Sequence, residues 1–490
     1  MKIKNIAYII LSGGLILSSC NDFVDLQPIS SATAENAYQT AKDAEAALTG
    51  VYDSFSQEYY IWDNVLCNDV RSDNYYAGGD NAEIFQYENL AVAATNSRIF
   101  GDWSQIYNAI SKANVVLKRV PAITDPQLDE TRRAQIIGEA YFLRAYHYYN
   151  LVKTWGGVPI IIEPVTSTQP GATQIARNTE VEVYNQIIAD LGEALKRLPD
   201  TYSADASVNK ARATKGAVNA LFAKVYAQKS DRDYSKVIAY CDAVINSPAG
   251  YSLMPAFADL WNGTHYNNQE SIMEVQFVGG TEGNWGPALL LPPSITSTTW
   301  RKFVVPTHDL INAFDAEGDT IRKNASVFFE KAPWVDEYWS PAVNGVIPFA
   351  YKWPSAGGGN STNRQYIFRL ADILLLKAEA LNDGGDVEGA RSLVDQIRKR
   401  AGLTPTTAAD QAQMKLAIEK ERRLELCQEA QRWDDLVRYG RTETVMNGLN
   451  EVNLVTGQKK VYDMQPFKRV LPIPQQERNL NKNLGQNDQY

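Results

Sequence analysis

Leu221-Phe-Ala-Lys-Val-Tyr-Ala-Gln-Lys-Ser-Asp-Arg-Asp-Tyr-Ser-Lys-Val-Ile-Ala-Tyr-Cys-Asp-Ala-Val-Ile245 decides the fold, because its pattern occurs twice. Leu374 to Arg398 aligns with it without gaps, at an offset of 153 residues. The alignment pairs Lys224 with Lys377, Ala227 with Ala380, Asp233 with Asp386 and Asp242 with Asp395. In each copy a helix of small and large apolar residues meets a short Asp/Gly turn and then a second helix. Small residues let two helices approach closely, and stacked helix pairs share one core. A chance likeness between Ala-rich amphipathic helices is the competing account; we take the repeat. The pattern predicts an all-α, mainly helical fold of tetratricopeptide-like helix hairpins with long irregular loops.

Outward from the repeat, apolar residues recur at three and four from Ala34 to Phe55, which predicts a helix. Trp103 to Val120 reads as another, stopped by Pro121, and residues 134–154 as a long one ended by Gly156-Gly157. A short strand-like run follows, Val158 to Ile162, and a further helix is expected at 181–198. Asn68 to Asp80 reads as a polar, aromatic loop. Between 250 and 360 helical periodicity fades, and Gly, Pro, Asn and Ser punctuate the chain. After Arg369 helices return, and Tyr462 to Tyr490 reads as an irregular wrap. The expected division is 1–19, 20–30 and one domain over 31–490. Its repeats lie at about 34–245 and 369–440, with the loop-rich insert at about 250–360.

The first segment reads as an address. Lys2 and Lys4 precede an apolar run from Ile6 to Leu17, too short to span a bilayer as a stable helix. Leu17-Ser-Ser-Cys20 resembles a bacterial lipobox, with Cys20 the lipidation site. Acyl chains on that residue give lasting anchorage, at about 0.8 kcal/mol per buried CH₂. Loss of Lys2 and Lys4 moves the formal charge from -9 to -11. The competing account is an ordinary signal peptide with an incidental cysteine.

Composition then excludes function classes. An acidic chain with 48 basic against 57 acidic residues is a poor nucleic-acid binder. Four cysteines exclude a disulfide-stapled scaffold, and Cys241 and Cys427, in helical apolar patterns, read as buried thiols. Three histidines exclude a His-rich metal site. No metal and no cofactor is expected, and Ca²⁺ is not indicated. No Gly-rich phosphate loop is present.

Segments running from Cys20-Asn-Asp-Phe-Val-Asp-Leu-Gln-Pro28 to Gln486-Asn487 together resemble one family, the SusD/RagB outer-membrane nutrient-binding lipoproteins. They are Cys20-Asn-Asp-Phe-Val-Asp-Leu-Gln-Pro28, Asp43-Ala-Glu-Ala-Ala-Leu-Thr-Gly-Val-Tyr52, Gly138-Glu-Ala-Tyr-Phe-Leu-Arg-Ala-Tyr146 and Trp155-Gly-Gly-Val-Pro159. Ala211 to Tyr226, Glu419-Lys-Glu-Arg-Arg-Leu-Glu-Leu426, Arg432-Trp-Asp-Asp-Leu-Val-Arg438, Leu471-Pro-Ile-Pro-Gln-Gln-Glu477 and Gln486-Asn487 continue it in the family's order. Gln428-Glu-Ala-Gln431 and Tyr141 depart from the pattern. The resemblance implies four tetratricopeptide-like units and a ligand site on long loops. It also implies a partner, a SusC-like TonB-dependent transporter barrel on which the lipoprotein is a hinged lid. It places the protein on the outer membrane, lipid-anchored and facing outward.

Sugars present apolar C–H faces and hydroxyl rims, so a sugar site needs aromatic platforms and a few polar groups. Arg71, Asp73, Asn74, Tyr75 and Tyr76 crowd both kinds into one predicted loop. Trp285, Trp300, Trp334, Tyr338, Trp339 and Trp353 supply further flat faces in the insert, which holds six of the ten tryptophans. Tyr75, Tyr76 and Trp285 lead the expectation. Any single loop Trp can equally be the plug that anchors its loop. Trp103, Trp155 and Trp433 are assigned to the core. A neutral polysaccharide, such as a β-glucan or a fructan, is the expected ligand.

No catalytic residue is expected. Glu421, Glu425 and Glu429 have i,i+4 spacing, but Arg422, Arg423 and Arg432 are interleaved, and ion-paired helix faces explain that better. His147, His265 and His308 have no nucleophile setting. The alternatives are a surface glycoside hydrolase on a helical scaffold, and a peptide-binding RagB-type member of the same fold.

Overall fold

The repeat is present as two helix hairpins in the structure, a computed structural model that describes residues 37–490. Cys20, the lipobox and the tether lie outside the described residues. The helices of the repeats and those flanking them are, in chain order, α1 Ala41–Tyr52, α2 Ser97–Arg119, α3 Glu130–Trp155, α4 Glu180–Arg197, α5 Lys215–Gln228 and α6 Tyr234–Ile245, then α7 Leu370–Asp383, α8 Val387–Arg400, α9 Gln411–Leu426 and α10 Arg432–Tyr439.

The paired positions do paired work. Asp233 and Asp386 are the N-caps of α6 and α8, their side chains accepting from the Lys236 and Gly389 amides. Each cap stabilises its helix by about 0.5–2 kcal/mol. Lys224 on α5 reaches Asp372 on α7 at 2.6 Å, and Lys377 on α7 reaches Asp242 on α6 at 2.5 Å. The two lysines thus tie one hairpin to the next. Alanines 217, 220, 223 and 227 leave α5 buried on nearly every side, and the Phe222 and Tyr240 rings stack 4.4 Å apart across the hairpin.

Helix boundaries depart from expectation where capping outranks periodicity. α2 begins at Ser97, six residues before the expected Trp103, because the Asn96 side chain caps the Arg98 amide. α3 begins at Glu130 behind Asp129 and ends at Gly156, whose φ of 74° suits glycine. Val158 to Ile162 forms no strand. It lies along α3, where the Tyr148 hydroxyl accepts from the Ile161 amide at 2.6 Å and donates to its carbonyl at 2.9 Å.

The chain carries short strands: β1 Tyr75–Ala77 ahead of the hairpins, and β2 Ser271–Val275, β3 Val304–Pro306, β4 Val327–Glu330, β5 Ile347–Ala350 and β6 Gln365–Arg369 between them. They pair antiparallel as β1–β3, β2–β6 and β4–β5. The end of the chain wraps the C-terminus of α3, with Asn487 Nδ2 donating to the Trp155 carbonyl at 3.0 Å and the Leu471 carbonyl at 2.7 Å.

The acid-rich helix α9 is the bolt between insert and repeats. Its carboxylates do not pair mainly along their own helix face, as i,i+4 spacing suggested. Glu421 takes Arg322 and Arg398; Glu425 takes Arg322, Arg369 and Arg400. Burial works to raise the Glu425 pKa. The charges of Arg400, Arg369 and Arg322 outweigh it and hold the carboxyl well below the usual carboxylate range.

Candidate functional site

The segment expected to be a binding loop, Asn68 to Asp80, is mostly interior. It runs from the end of a wide, π-helical turn over Leu66–Val70 into strand β1, and Arg71, Asp73, Asn74, Tyr75 and Tyr76 are all buried. The reason is pairing. Arg432 grips Asp73 with two nitrogens at 2.7 and 2.8 Å, and Arg423 lies 3.3 Å from it. Burial favours the protonated Asp73, but the two guanidiniums prevail and hold its pKa below the usual range. Asn74 accepts from Arg423, and Arg71 donates to the Lys468 carbonyl while its guanidinium covers Trp433 at 4.2 Å. The Tyr76 ring meets the Tyr338 ring edge-on at 4.6 Å.

Tyr338, Trp339 and Trp353 are buried as well. Tyr338 donates to Glu88 at 2.9 Å. Trp339 donates to the Pro306 carbonyl at 3.1 Å and stacks on His308 at 3.8 Å. All eight are buried, so none presents the open face expected of it as a loop residue. Trp103, Trp155 and Trp433 lie in the core, as assigned. His147 is a core residue too, contacted by Tyr60 and Ser54, its pKa pushed down to about 3 by burial.

Three of the expected aromatics keep an open face: Trp300, which is 39% exposed, and Trp285 and Trp334, each half-buried. Trp300 and Trp334 share one cleft of about 460 Å³ with Phe303, Arg301, Thr299 and Asp80. Phe303 lies 5.6 Å from Trp300, ring to ring, and 5.9 Å from the buried Trp62. Arg301, Thr299 and Asp80 are exposed at the rim. The cleft therefore combines flat apolar walls with one cation, one carboxylate and one hydroxyl. That inventory suits the C–H faces and hydroxyls of a sugar.

The chain builds this cleft from two sides. β1 and β3 bring the Gly78-Gly79 turn against Lys302-Phe303. Gly78 donates to the Phe303 carbonyl, and a Cβ on Gly78 would sit 2.1 Å from the Lys302 carbonyl. Gly79 has a φ of 80°, and a Cβ there would sit 2.5 Å from the Phe303 ring. Only glycine lets the turn lie this close. Beneath Trp300, the buried Lys302 ammonium donates to Thr298 at 2.7 Å, Thr296 at 3.2 Å and the Ala288 carbonyl at 3.3 Å. Burial pushes its pKa down to about 8.

Asp80, Arg301 and Phe303 were not among the residues singled out in the sequence. The available signal was local: Trp300-Arg-Lys-Phe303 sets two aromatics three apart around two cations. Trp285 lies elsewhere, on a neighbouring cleft. Among the described residues no cluster of His, Cys, Asp and Glu suits a metal ion, and no helix is long and apolar enough to cross a membrane.

Comparison with known proteins adds the family context. A model described as "SusD family" matches residues 337–490, and one described as "Starch-binding associating with outer membrane" matches residues 22–227. SusD-like protein P38 of Formosa agariphila is 26% identical, over 98% of this chain and 99% of its own length. Starch-binding protein SusD of Bacteroides thetaiotaomicron is 25% identical, over 86% of this chain and 84% of its own. Among solved structures, a laminarin binding SusD-like protein superposes with a TM-score of 0.74 at 27% identity, covering 92% of this chain and 100% of that one. Surface glycan-binding protein A from Bacteroides fluxus gives 0.76 at 25% identity, over 92% and 100%.

Proposed function

We propose, for a chain that belongs to the SusD family, that it captures an oligosaccharide or polysaccharide in the Trp300–Trp334 cleft and hands it to a SusC-like TonB-dependent transporter. The observation that carries this reading is the cleft itself: Trp300, Phe303 and Trp334 as walls, with Asp80 and Arg301 at the rim. Relatives named for starch, laminarin and surface-glycan binding support glycan capture. Cys20 would carry the lipid that holds the protein on the outer face of the outer membrane. Energy for uptake would come through the barrel, so the chain needs no nucleotide site.

A neutral glucan is the first ligand to try. Laminarin is the lead, because a structural relative at 27% identity is named for it. The reading is of binding without catalysis. A hydrolase needs two carboxylates facing each other across the substrate, and Asp80 is the carboxylate among the residues lining this cleft.

Affinity electrophoresis in gels cast with laminarin, starch, inulin or levan tests the proposal. Retardation in at least one gel, with no reducing ends released, is expected. Peptide binding with silence on every glycan would overturn the sugar reading in favour of a RagB-type ligand. Sustained product release would favour the hydrolase.

A further inference from the structure

A second cleft, of about 670 Å³, opens where the end of α1 faces the segment after β2, and the candidate site above makes no use of it. We propose that it is a second oligosaccharide-binding subsite, and that a glycan of several units occupies it and the Trp300–Trp334 cleft together. This rests on the glycan-capture reading and adds a chain-length requirement to it.

The lining has the chemistry of a sugar site. Trp285 and Tyr52 are half-buried aromatics, with Phe55 behind them. Tyr52 is held in place, its hydroxyl donating to Glu139 at 2.7 Å and accepting from the Ala213 amide at 2.9 Å. The Trp285 loop is equally braced. Asn284 exchanges two backbone hydrogen bonds with Ser361, at 2.7 and 3.0 Å, and its side chain accepts from Gly286 and donates to the Asn363 carbonyl. Flat faces on anchored backbone bind with little loss of conformational freedom.

Polar groups stand ready at the rim. Asp53 and Glu282 are exposed and Gln276 is half-buried. Lys112 lies 3.8 Å from the Asp53 carboxylate, beyond hydrogen-bond distance, and among the described residues the Ser56 hydroxyl, at 3.2 Å, is its one side-chain hydrogen-bond partner. The Glu282 carboxylate has no side-chain partner among the described residues. Two carboxylates with unused lone pairs beside an indole suit hydroxyl donors.

One buried ring lies close to an aromatic of each cleft. The buried Trp62 ring lies 6.5 Å from Trp285 on one side and 5.9 Å from Phe303 on the other. On this proposal a polymer of several units spans the two, and its second contact, being intramolecular, raises the overall affinity.

Titration calorimetry with size-graded laminari-, malto- and fructo-oligosaccharides tests this, comparing Trp285→Ala, Glu282→Ala and Trp300→Ala. Trp285→Ala is expected to weaken a hexasaccharide by about threefold to tenfold, the worth of one stacked aromatic, and to leave a trisaccharide unchanged. Glu282→Ala, an exposed substitution that spares the core, is expected to act in the same direction. Trp300→Ala is expected to weaken both lengths. An unchanged hexasaccharide affinity in both Trp285→Ala and Glu282→Ala would overturn the second subsite and leave glycan capture standing. So would equal weakening of both lengths. Silence of the wild-type protein on every series would overturn both readings.

Discussion

The Lys302 ammonium lies 3.6 Å from the centroid of the Trp300 ring, inside the wall of the candidate cleft. Cation–π attraction and three hydrogen bonds fix the ammonium, and it in turn supports the indole from one side. A ligand must therefore use the ring's other face. The lysine side chain is almost wholly buried and pairs with no carboxylate among the described residues, so its charge is costly.

That cost predicts a pH signature. The Lys302 pKa is pushed down to about 8 in the fold, against about 10.4 in an unfolded chain. Between these values the unfolded chain binds the extra proton, so this group's contribution to stability rises with pH from about 8 to about 10. The melting temperature of wild type minus that of Lys302→Met should rise across this window and stay level below it. Thermal melts at half-unit pH steps check this; a level or falling difference would contradict it.

The glycine turn predicts a contrast of sign. Gly79→Ala puts a Cβ into the Phe303 ring at positive φ and should cost about 1–3 kcal/mol. It should also weaken glycan binding, although Gly79 is not among the residues lining the cleft. Gly50, on α1 with nothing within 4 Å of its Cβ position, should behave oppositely. Gly50→Ala should stabilise by about 0.5–1 kcal/mol. Urea unfolding of the two variants checks both signs.

Asp73 predicts a stability effect without a binding effect. Asp73→Ala leaves Arg432 and Arg423 facing a buried gap, at a cost of about 3–5 kcal/mol. Its depressed pKa makes its contribution present above about pH 4, its unfolded value, and lost as pH falls below that. Denaturation at pH 7 and pH 3 should show the variant's deficit at the first and a smaller one at the second. The folded fraction should bind glycan like wild type.

How legible this was depends on the residue. The hairpins were readable because Asp233 and Asp386 cap at matching places and Lys224 and Lys377 recur at one offset. The lining was not, because exposure is a long-range property. Asp73 and Tyr75 look like loop residues until Arg432, 359 positions away, and β3 cover them. Trp300 and Trp339 both stand in the loop-rich insert, yet a hydrogen bond to Pro306 and the stacked His308 hold Trp339 inside. Phe303 becomes a cleft residue through Gly78 and Gly79, which no local pattern connects to it.

Affinity electrophoresis of wild type, Trp300→Ala and Trp334→Ala side by side, in laminarin, starch, inulin and levan gels, tests glycan capture at the Trp300–Trp334 cleft most directly. Wild type is expected to be retarded in at least one gel, and both variants, with melting temperatures near wild type, to be retarded markedly less there. Retardation of both variants equal to wild type, or free migration of wild type in every gel, would contradict it.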